Sequence, residues 1–208
     1  MKKINWGILV QVLALVLFMA LLALGQMKPF LILYVLSLVG ALFFGRFYCG
    51  YICPINTLMK PVEWLAGKLG LKKRQPPGWL AAGWLPWVAV AGSLALLITG
   101  EKILENSIPV MVLWIAAGVL MVPFFHPAVF HVMVCPFGAL QKIFGRSVFR
   151  SEEVDPRSCI GCRKCEKVCP SKAIVVQKEE KKARIQKDLC FQCKACEGVC
   201  PTDSIHYR

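Results

Sequence analysis

Two stretches near the C-terminus decide the fold of this part of the chain: residues 159–170 read CIGCRKCEKVCP, and residues 190–201 read CFQCKACEGVCP. Both have the spacing C-x2-C-x2-C-x3-C-P, and they begin 31 residues apart. Such a duplication is typical of one structural unit used twice. Eight of the 11 cysteines of the chain belong to it, so the chemistry of this region is thiolate chemistry.

The spacing predicts two [4Fe–4S] clusters with exchanged ligands. Three thiolates at intervals of three residues can bind three corners of one cluster, and the fourth cysteine is carried to the other cluster. Disulfides disagree with a reducing cytoplasmic location, and zinc ribbons use two separated C-x2-C pairs. The expected ligand sets are Cys159, Cys162, Cys165 and Cys200 for the first cluster, and Cys190, Cys193, Cys196 and Cys169 for the second.

The segment between the two motifs is short and β-like. Residues 173–177 read AIVVQ and residues 183–186 read ARIQ, which predicts a small hairpin with a solvated, lysine-rich turn. Over nearly all of residues 155–208 the sequence resembles the bacterial two-[4Fe–4S] ferredoxins, a resemblance that implies a small α+β domain.

The rest of the chain has a different character. The whole sequence carries a net charge of +13 and is 57% hydrophobic, with a mean hydropathy of +0.58. Residues 1–150 hold 13 Lys and Arg but only three acids, and the remaining residues hold 12 and nine. The apolar content excludes a disordered chain. We therefore predict two domains, 1–150 and 151–208.

The first domain is predicted to be an all-α membrane domain. Four stretches carry no charged side chain: 4–27, 29–45, 75–100 and 106–141. A helix needs about 20 apolar residues to cross a hydrocarbon core about 30 Å thick. We expect four transmembrane helices near 5–25, 29–46, 79–99 and 108–126, the first of them an uncleaved anchor.

The basic residues predict the orientation in a plasma or inner membrane. With the N-terminus in the cytoplasm, the two outer loops hold only Lys28 and Lys102. This bias follows the positive-inside rule and places both termini in the cytoplasm. It also explains the basic charge without nucleic-acid binding. The basic residues of the cytoplasmic segments are Lys2, Lys3, Arg46, Lys60, Lys68, Lys72, Lys73, Arg74, Lys142, Arg146 and Arg150.

The three other cysteines belong to a second duplicated motif. Residues 49–54 read CGYICP, and residues 131–136 read HVMVCP. Each motif follows a predicted crossing, so we expect two helical hairpins related by duplication. Residues four apart share a helix face, and each proline suits the first turn of a following helix. The four side chains that could hold a third [4Fe–4S] cluster are Cys49, Cys53, His131 and Cys135.

Simpler roles remain open for these four residues. Membrane cysteines often pack as small hydrophobic side chains, and a lone histidine is as often a hydrogen-bonded residue at a helix end. We expect His126, which precedes a proline, to cap a helix or to form a hydrogen bond near a helix end; a role in a quinone site is the alternative.

The combination of paired C-x3-C-P-like motifs, four crossings and a C-terminal ferredoxin repeat resembles the NapH-type membrane ferredoxins. The membrane core also resembles that of NosR and of oxidase accessory proteins related to FixG. The resemblance implies electron transfer from quinol to a redox partner. It matches Cys49, Cys53 and Cys135 to the membrane motif, whereas His131 stands where the family has cysteine. Imidazole in place of thiolate removes negative charge and tends to raise a cluster potential.

No G-x-G-x-x-G occurs, so the sequence predicts no NAD site, and it gives no sign of flavin. We expect an electron-transfer subunit of a quinol-linked oxidoreductase complex. It would relay electrons between the quinone pool or a membrane partner and a cytoplasmic redox protein such as a ferredoxin. The alternative is an assembly or regulatory protein that uses its clusters for metal reduction or redox sensing.

Overall fold

The computed structural model describes residues 6–103, 110–177 and 179–208. The chain forms two compact units, each made of two stretches of sequence. The first unit comprises Met1–Tyr34 and Tyr51–Leu140, and the second comprises Val35–Gly50 and Gln141–Arg208. The predicted tail, 151–208, therefore belongs to a unit that also contains residues 35–50. The boundary at residue 150 stays a prediction.

The first unit is helical. Its central helix α3 packs against α1 and α6, and α7 packs against α5 and α6. A glycine lets α6 approach the first unit's core closely, since a Cβ at Gly118 would lie 3.1 Å from the Ile55 side chain and 3.3 Å from Phe130. In chain order the helices that lie wholly or partly in this unit are α1 (Trp6–Ala23), α2 (Lys28–Phe44), α3 (Pro54–Lys68), α4 (Gly78–Ala81), α5 (Leu85–Ile103), α6 (Val110–Met121), α7 (Pro127–Met133) and α8 (Pro136–Phe144).

Two of the predicted crossings differ from the structure: one is divided and the other ends early. The helix expected at 79–99 is interrupted at Gly83, whose φ of +77° suits glycine, and α5 begins only at Leu85. The helix expected at 108–126 ends at Met121, before Pro123, and α7 starts at Pro127. The predicted starts at residues 5 and 108, together with Lys2 and Lys3, lie outside the described residues.

Within the part of the chain that the structure describes, α1 is the one unbroken helix long and apolar enough to span a bilayer. The apolar helices α2, α5 and α6 are shorter over the residues assessed, and α7 with α8 would count only as a broken span. On α1, apolar side chains such as Leu13, Val16 and Leu17 are exposed, whereas the polar Gln11 is buried. The Gln11 Oε1 accepts a hydrogen bond of 2.6 Å from Lys60 on α3.

The second unit contains two small antiparallel sheets. Strand β1 (Glu152–Val154) pairs with β4 (Ile205–Tyr207), and β2 (Ile174–Val176) pairs with β3 (Ala183–Ile185). A short helix, α9 (Lys164–Val168), packs against β2. The predicted hairpin is therefore confirmed. Apolar strand residues and cysteines share one core, since two such small sheets alone bury little apolar surface. This core contains Cys159, Cys165, Cys169, Ala173, Ile174, Val176, Ala183, Cys190, Cys196 and Ile205.

Candidate iron–sulfur centres

The duplicated sequence is also duplicated in its backbone. Residues with positive φ recur 31 positions apart in the two cysteine motifs and their following turns. Left-handed backbone is costly for residues other than glycine, so its repetition marks a tightly wound loop rather than an accident. The pairs are Gly161 (68°) with Gln192 (56°), Arg163 (60°) with Lys194 (58°), and Lys172 (51°) with Asp203 (45°).

Each wound loop, completed by the last cysteine of the other motif, surrounds a cavity. The first cavity has a volume of about 330 Å³, counting space open to solvent, and is lined by Cys159, Cys162, Cys165 and Cys200. The second has about 300 Å³ and is lined by Cys169, Cys190, Cys193 and Cys196. The structure thus brings together the same two sets of four thiols that the exchanged-ligand pattern predicts.

Backbone amides in these loops point at the cysteine sulfurs. The Gln192 N–H donates to the Cys190 Sγ at 3.5 Å, and the Ala173 N–H donates to the Cys169 Sγ at 3.3 Å. The Ser204 N–H donates to the Cys200 Sγ at 3.4 Å. Hydrogen bonds to sulfur stabilise thiolate ligands and help to set cluster potentials. Four converging thiols with amide donors around a cavity fit a [4Fe–4S] cluster.

The arrangement does not fit a single metal ion. Over residues 6–103, 110–177 and 179–208, no three His, Cys, Asp or Glu side chains converge closely enough to hold one ion. Each cavity is lined by three cysteines of one motif and the last cysteine of the other, whereas a zinc ribbon uses two separated C-x2-C pairs; this exchange disfavours the zinc-ribbon alternative.

Burial favours the protonated form of two of these thiols, so that they become thiolates only when a metal binds them. Burial raises the pKa of Cys190 and of Cys196 to about 12. Burial also acts to raise the pKa of Cys200, but hydrogen bonds from Ser204 and Thr202 outweigh it and lower that pKa to about 7. Because iron binds the thiolate, binding at Cys190 and Cys196 must displace protons.

One residue at the second cavity has no signal in the sequence. The Glu152 side chain is fully buried and lines this cavity beside Cys190 and Cys196. Burial, followed by the charge of Glu197, raises the pKa of this carboxyl, while Lys194 and His206 oppose the rise. Its backbone N–H donates to the Gln192 Oε1 at 3.2 Å. An acid in a three-residue strand looks like any edge residue until the tertiary structure buries it.

The motif at residues 49–54, called the first membrane motif for its predicted location, does not lie on a single α-helix. Cys49 is buried in a π-helical turn, Tyr48–Ile52, which belongs in part to the second unit. Cys53 is the N-cap of α3, with an extended backbone (φ −64°, ψ 116°), and is in the first unit. The predicted common helix face is therefore wrong here, because the proline at 54 forces the chain out of helix at the preceding residue. Pro54 does begin the next helix, as predicted.

The second membrane motif is broken at the same place. His131 is buried in α7, but Cys135 follows the end of that helix, and Pro136 opens α8. The Cys135 N–H donates to the Phe130 carbonyl at 2.8 Å, and its Sγ accepts from the Gly138 N–H at 3.4 Å. The shared helix face predicted for His131 and Cys135 is thus also wrong.

The expected capping role of His126 is confirmed. Its Nδ1 accepts a hydrogen bond of 3.2 Å from the Ala128 N–H at the start of α7. A histidine committed to the first turn of a helix in this way is held by local backbone geometry.

Sequence comparisons place these centres among known families. The 4Fe-4S dicluster domain family matches residues 158–204. The 4Fe-4S binding domain family matches twice, over residues 28–72 and 107–152, so each match includes one of the two membrane motifs. The double match agrees with the predicted duplication. No solved structure matches the chain.

Three relatives illustrate the similarity. An uncharacterised protein of Methanocaldococcus jannaschii is 29% identical over 69% of this chain and 59% of its own length. The methylamine utilization ferredoxin-type protein MauN of Methylobacillus flagellatus is 30% identical, with 62% and 50% covered. The ferredoxin-type protein NapH of Haemophilus influenzae is 27% identical, with 67% and 55% covered. The chain spans between half and three fifths of the length of these relatives.

The cavities lined by cysteine and the two matching families define the class: an iron–sulfur protein with ferredoxin-type 4Fe-4S domains. Within this class, the NapH and MauN relatives together with the two domain families support a NapH-type 4Fe-4S protein, which confirms the resemblance found from the motifs.

Proposed function

We propose that the chain is a membrane-anchored relay for single electrons. It would connect the quinone pool, or a membrane partner, with a cytoplasmic redox protein, and it would work as a subunit of a larger complex. The observation that carries this proposal is the pair of cysteine-lined cavities, each surrounded by four thiols within one small unit. Two one-electron groups in one small unit are suited to passing electrons rather than to bond chemistry.

The tail cysteines are the proposed cluster ligands. Cys159, Cys162, Cys165 and Cys200 would hold the first [4Fe–4S] cluster, which is named here the Cys159 cluster. Cys190, Cys193, Cys196 and Cys169 would hold the second, named the Cys190 cluster. Each cluster supplies one-electron redox chemistry when bound. The chain itself supplies the thiols, the amide hydrogen bonds to sulfur and a buried environment.

A third [4Fe–4S] cluster on the membrane motifs is part of the proposal. Its candidate ligands are Cys49, Cys53, Cys135 and, in the fourth place, His131. Two observations support it: a 4Fe-4S binding family matches both segments that contain these residues, and all four side chains are buried. Packing of the same cysteines as small hydrophobic groups is the competing interpretation.

Single substitutions with EPR spectroscopy separate these interpretations. Cys135→Ser and His131→Ala are expected to change the same cluster signal and to leave the two tail signals intact. His126→Ala is the matched control, since His126 caps α7 through the Ala128 N–H and is not a proposed ligand. If neither substitution alters any cluster signal, the membrane motifs bind no cluster.

Membrane embedding with four crossings and cytoplasmic termini is also proposed. The exposed apolar face of α1, with buried Gln11 facing Lys60, supports a lipid environment for this helix. A C-terminal fusion to a fluorescent protein that matures in the cytoplasm should fluoresce. The same fusion to alkaline phosphatase, which is active only outside, should be inactive. The opposite pattern would contradict the orientation.

The relay itself is tested with the purified chain and its co-purifying subunits in lipid nanodiscs. Rapid reduction of the clusters by menaquinol or by a reduced ferredoxin is the expected result. The absence of reduction by either donor would refute the relay. If loss of the chain instead impaired the maturation of a metalloenzyme, the accessory role would replace it.

A further inference from the structure

The two cysteine loops have the same spacing but very different surroundings. Ile160 follows the first cysteine of one loop and is 64% exposed, whereas Phe191, its counterpart 31 residues later, is 1% exposed. Likewise Cys162 is exposed and its counterpart Cys193 is half-buried. The duplication therefore yields one open loop and one covered loop within the second unit.

The covered loop lies against residues 45–50, the segment that follows α2 and contains Cys49. The Arg46 guanidinium lies 4.9 Å from the centre of the Phe191 ring, and Arg46 has 0% exposure. A Cβ at Gly50 would lie 2.2 Å from the Phe191 carbonyl oxygen, so the two backbones are in direct contact. A Cβ at Gly45 would lie 2.9 Å from the Gln192 Nε2. At Gly50 the opposing atom belongs to the backbone, which leaves no room for a side chain; at Gly45 it is the end of the Gln192 side chain, and the φ of +66° also favours glycine.

Arg46 links this loop to a proposed membrane ligand. Its Nη2 donates to the Cys49 Sγ at 3.9 Å while its guanidinium lies over the Phe191 ring. Phe191 and Gln192 stand between Cys190 and Cys193, two proposed ligands of the Cys190 cluster. One buried cation thus contacts both Cys49 and the ligand loop of a tail cluster.

Gln192 secures the loop from its other side. Its Nε2 donates to the Ser151 Oγ at 2.9 Å, and its Oε1 accepts from the Glu152 N–H at 3.2 Å. The corresponding residue of the open loop is Gly161, which has no side chain to form such bonds. The covered loop is therefore fixed by contacts that the open loop cannot make.

We propose that the two tail clusters work in a fixed order. The Cys190 cluster is the inner one, which exchanges electrons with the centre at Cys49. The Cys159 cluster is the outer one, which exchanges electrons with a soluble one-electron redox protein. Arg46 is the positioning residue that holds the inner loop. In each exchange one electron leaves the donor, which is oxidised by one unit, and reduces the acceptor by one unit.

This order rests on the proposed relay but has its own physical reason. Electron transfer weakens steeply with separation, so the cluster whose ligand loop contacts the segment of Cys49 is the better partner for it. A soluble protein can approach only a loop that is open, and Ile160 and Cys162 provide that opening. A buried cation near a cluster also stabilises its reduced form, because reduction adds negative charge.

The first test measures the access of solvent to each cluster in the full chain. A hydrophilic lanthanide chelate is added to the reduced protein, and the relaxation of each EPR signal is recorded. Cys165→Ser and Cys196→Ser assign the signals to the Cys159 and Cys190 clusters. The chelate is expected to enhance relaxation of the Cys159 cluster more strongly. Equal enhancement, or a stronger effect on the Cys190 cluster, would overturn the order.

The second test removes the buried charge. Arg46→Gln is expected to lower the midpoint potential of the Cys190 cluster by the equivalent of about a tenfold change in its reduction equilibrium, about 59 mV for a one-electron couple. Arg46→Lys, which keeps the charge, is expected to restore much of the shift. Arg184→Gln is the matched control, because the Arg184 side chain is largely exposed on β3 and lies outside both cysteine loops. An equal shift of both clusters, or a shift of the Cys159 cluster alone, would contradict the role of Arg46.

These outcomes are distinct from a failure of the relay. The relaxation test requires only the two tail clusters and no donor, so asymmetric access without reduction by menaquinol or by a reduced ferredoxin would refute the relay and leave only the difference in access between the two clusters. Reduction by quinol with symmetric access would do the reverse.

Discussion

Gly161 is the position at which the smallest change should have the most selective effect. It lies between Cys159 and Cys162 in the open loop, and its φ is +68°. A Cβ built on it would lie 2.0 Å from the Lys181 carbonyl oxygen and 2.9 Å from the carbonyl carbon. Alanine at this position therefore meets both a backbone strain and a backbone clash.

The two effects give a magnitude. Left-handed backbone costs an L-residue about 1–2 kcal/mol, and overpacking a close contact costs about 1–3 kcal/mol more. Because real Cβ contacts essentially never fall below 3.0 Å, the Lys181 oxygen and the loop must separate by about 1.0 Å. The opposing group is backbone, which cannot rotate away as a side chain could. We expect Gly161→Ala to destabilise the loop by roughly 2–5 kcal/mol.

The assay is the iron content of the purified full chain together with its EPR spectrum. Gly161→Ala is expected to lose about four irons per chain and the signal of the Cys159 cluster, while the Cys190 cluster stays. Gly198→Ala is the matched control in the other motif, since nothing lies within 4 Å of a Cβ there. The control is expected to keep the wild-type iron content.

A Gly161→Ala protein with wild-type iron content and unfolding temperature would refute this reasoning. It would mean that the loop relaxes at little cost. Loss of both signals would instead indicate that the two clusters assemble as one unit.

Three further predictions concern the ligands and the helical unit. Cys169→Ser is expected to alter the same EPR signal as Cys190→Ser, and Cys200→Ser the same signal as Cys159→Ser; pairing by sequence proximity would disprove the exchange. Gly118→Leu is expected to lower the unfolding temperature, because overpacking against Ile55 and Phe130 costs about 1–3 kcal/mol of stability. Gly92→Leu, where a Cβ meets open space, should have little effect, and equal effects of the two variants would contradict this packing. Gln11→Leu removes the side-chain oxygen that accepts the 2.6 Å hydrogen bond from Lys60, and it is expected to lower the free energy of unfolding in detergent by about 1–3 kcal/mol. Gln26→Leu, at an exposed position, is expected to be nearly neutral, and unchanged stability of the Gln11 variant would show that this hydrogen bond contributes nothing.

The ferredoxin region could be predicted from the sequence because its information is local. Cysteine spacing limits which corners of a cluster a loop can reach, and the 31-residue repeat links the two loops. The hairpin at Ile174–Ile185 follows from a run of β-branched residues around a polar turn. The relation to NapH-type proteins followed from the same motifs.

The membrane motifs were harder to predict in detail. A four-residue spacing places two side chains on one face only where the helix continues, and a proline after the second cysteine prevents this. The structure accordingly places Cys53 and Cys135 at breaks before α3 and α8. In this sequence Pro54 and Pro136 mark these breaks, and they override the helical four-residue spacing.

The difference between the two tail loops could not be predicted at all. Ile160 and Phe191 are both apolar residues in identical spacing, and only the tertiary packing of residues 45–50 buries one of them. Arg46 carried only a topological meaning in the sequence, as one of many cytoplasmic basic residues. Its contact with Cys49 and Phe191 depends on segments about 145 residues apart in the chain.

The proposed relay contains three [4Fe–4S] clusters per chain, two in the tail and one on the membrane motifs. The decisive measurement is the content of iron and acid-labile sulfide per chain in protein purified without air. About twelve of each per chain is the predicted result. A value of about eight, with both tail EPR signals at full intensity, would show that the membrane motifs hold no cluster and that the relay contains only the two tail clusters.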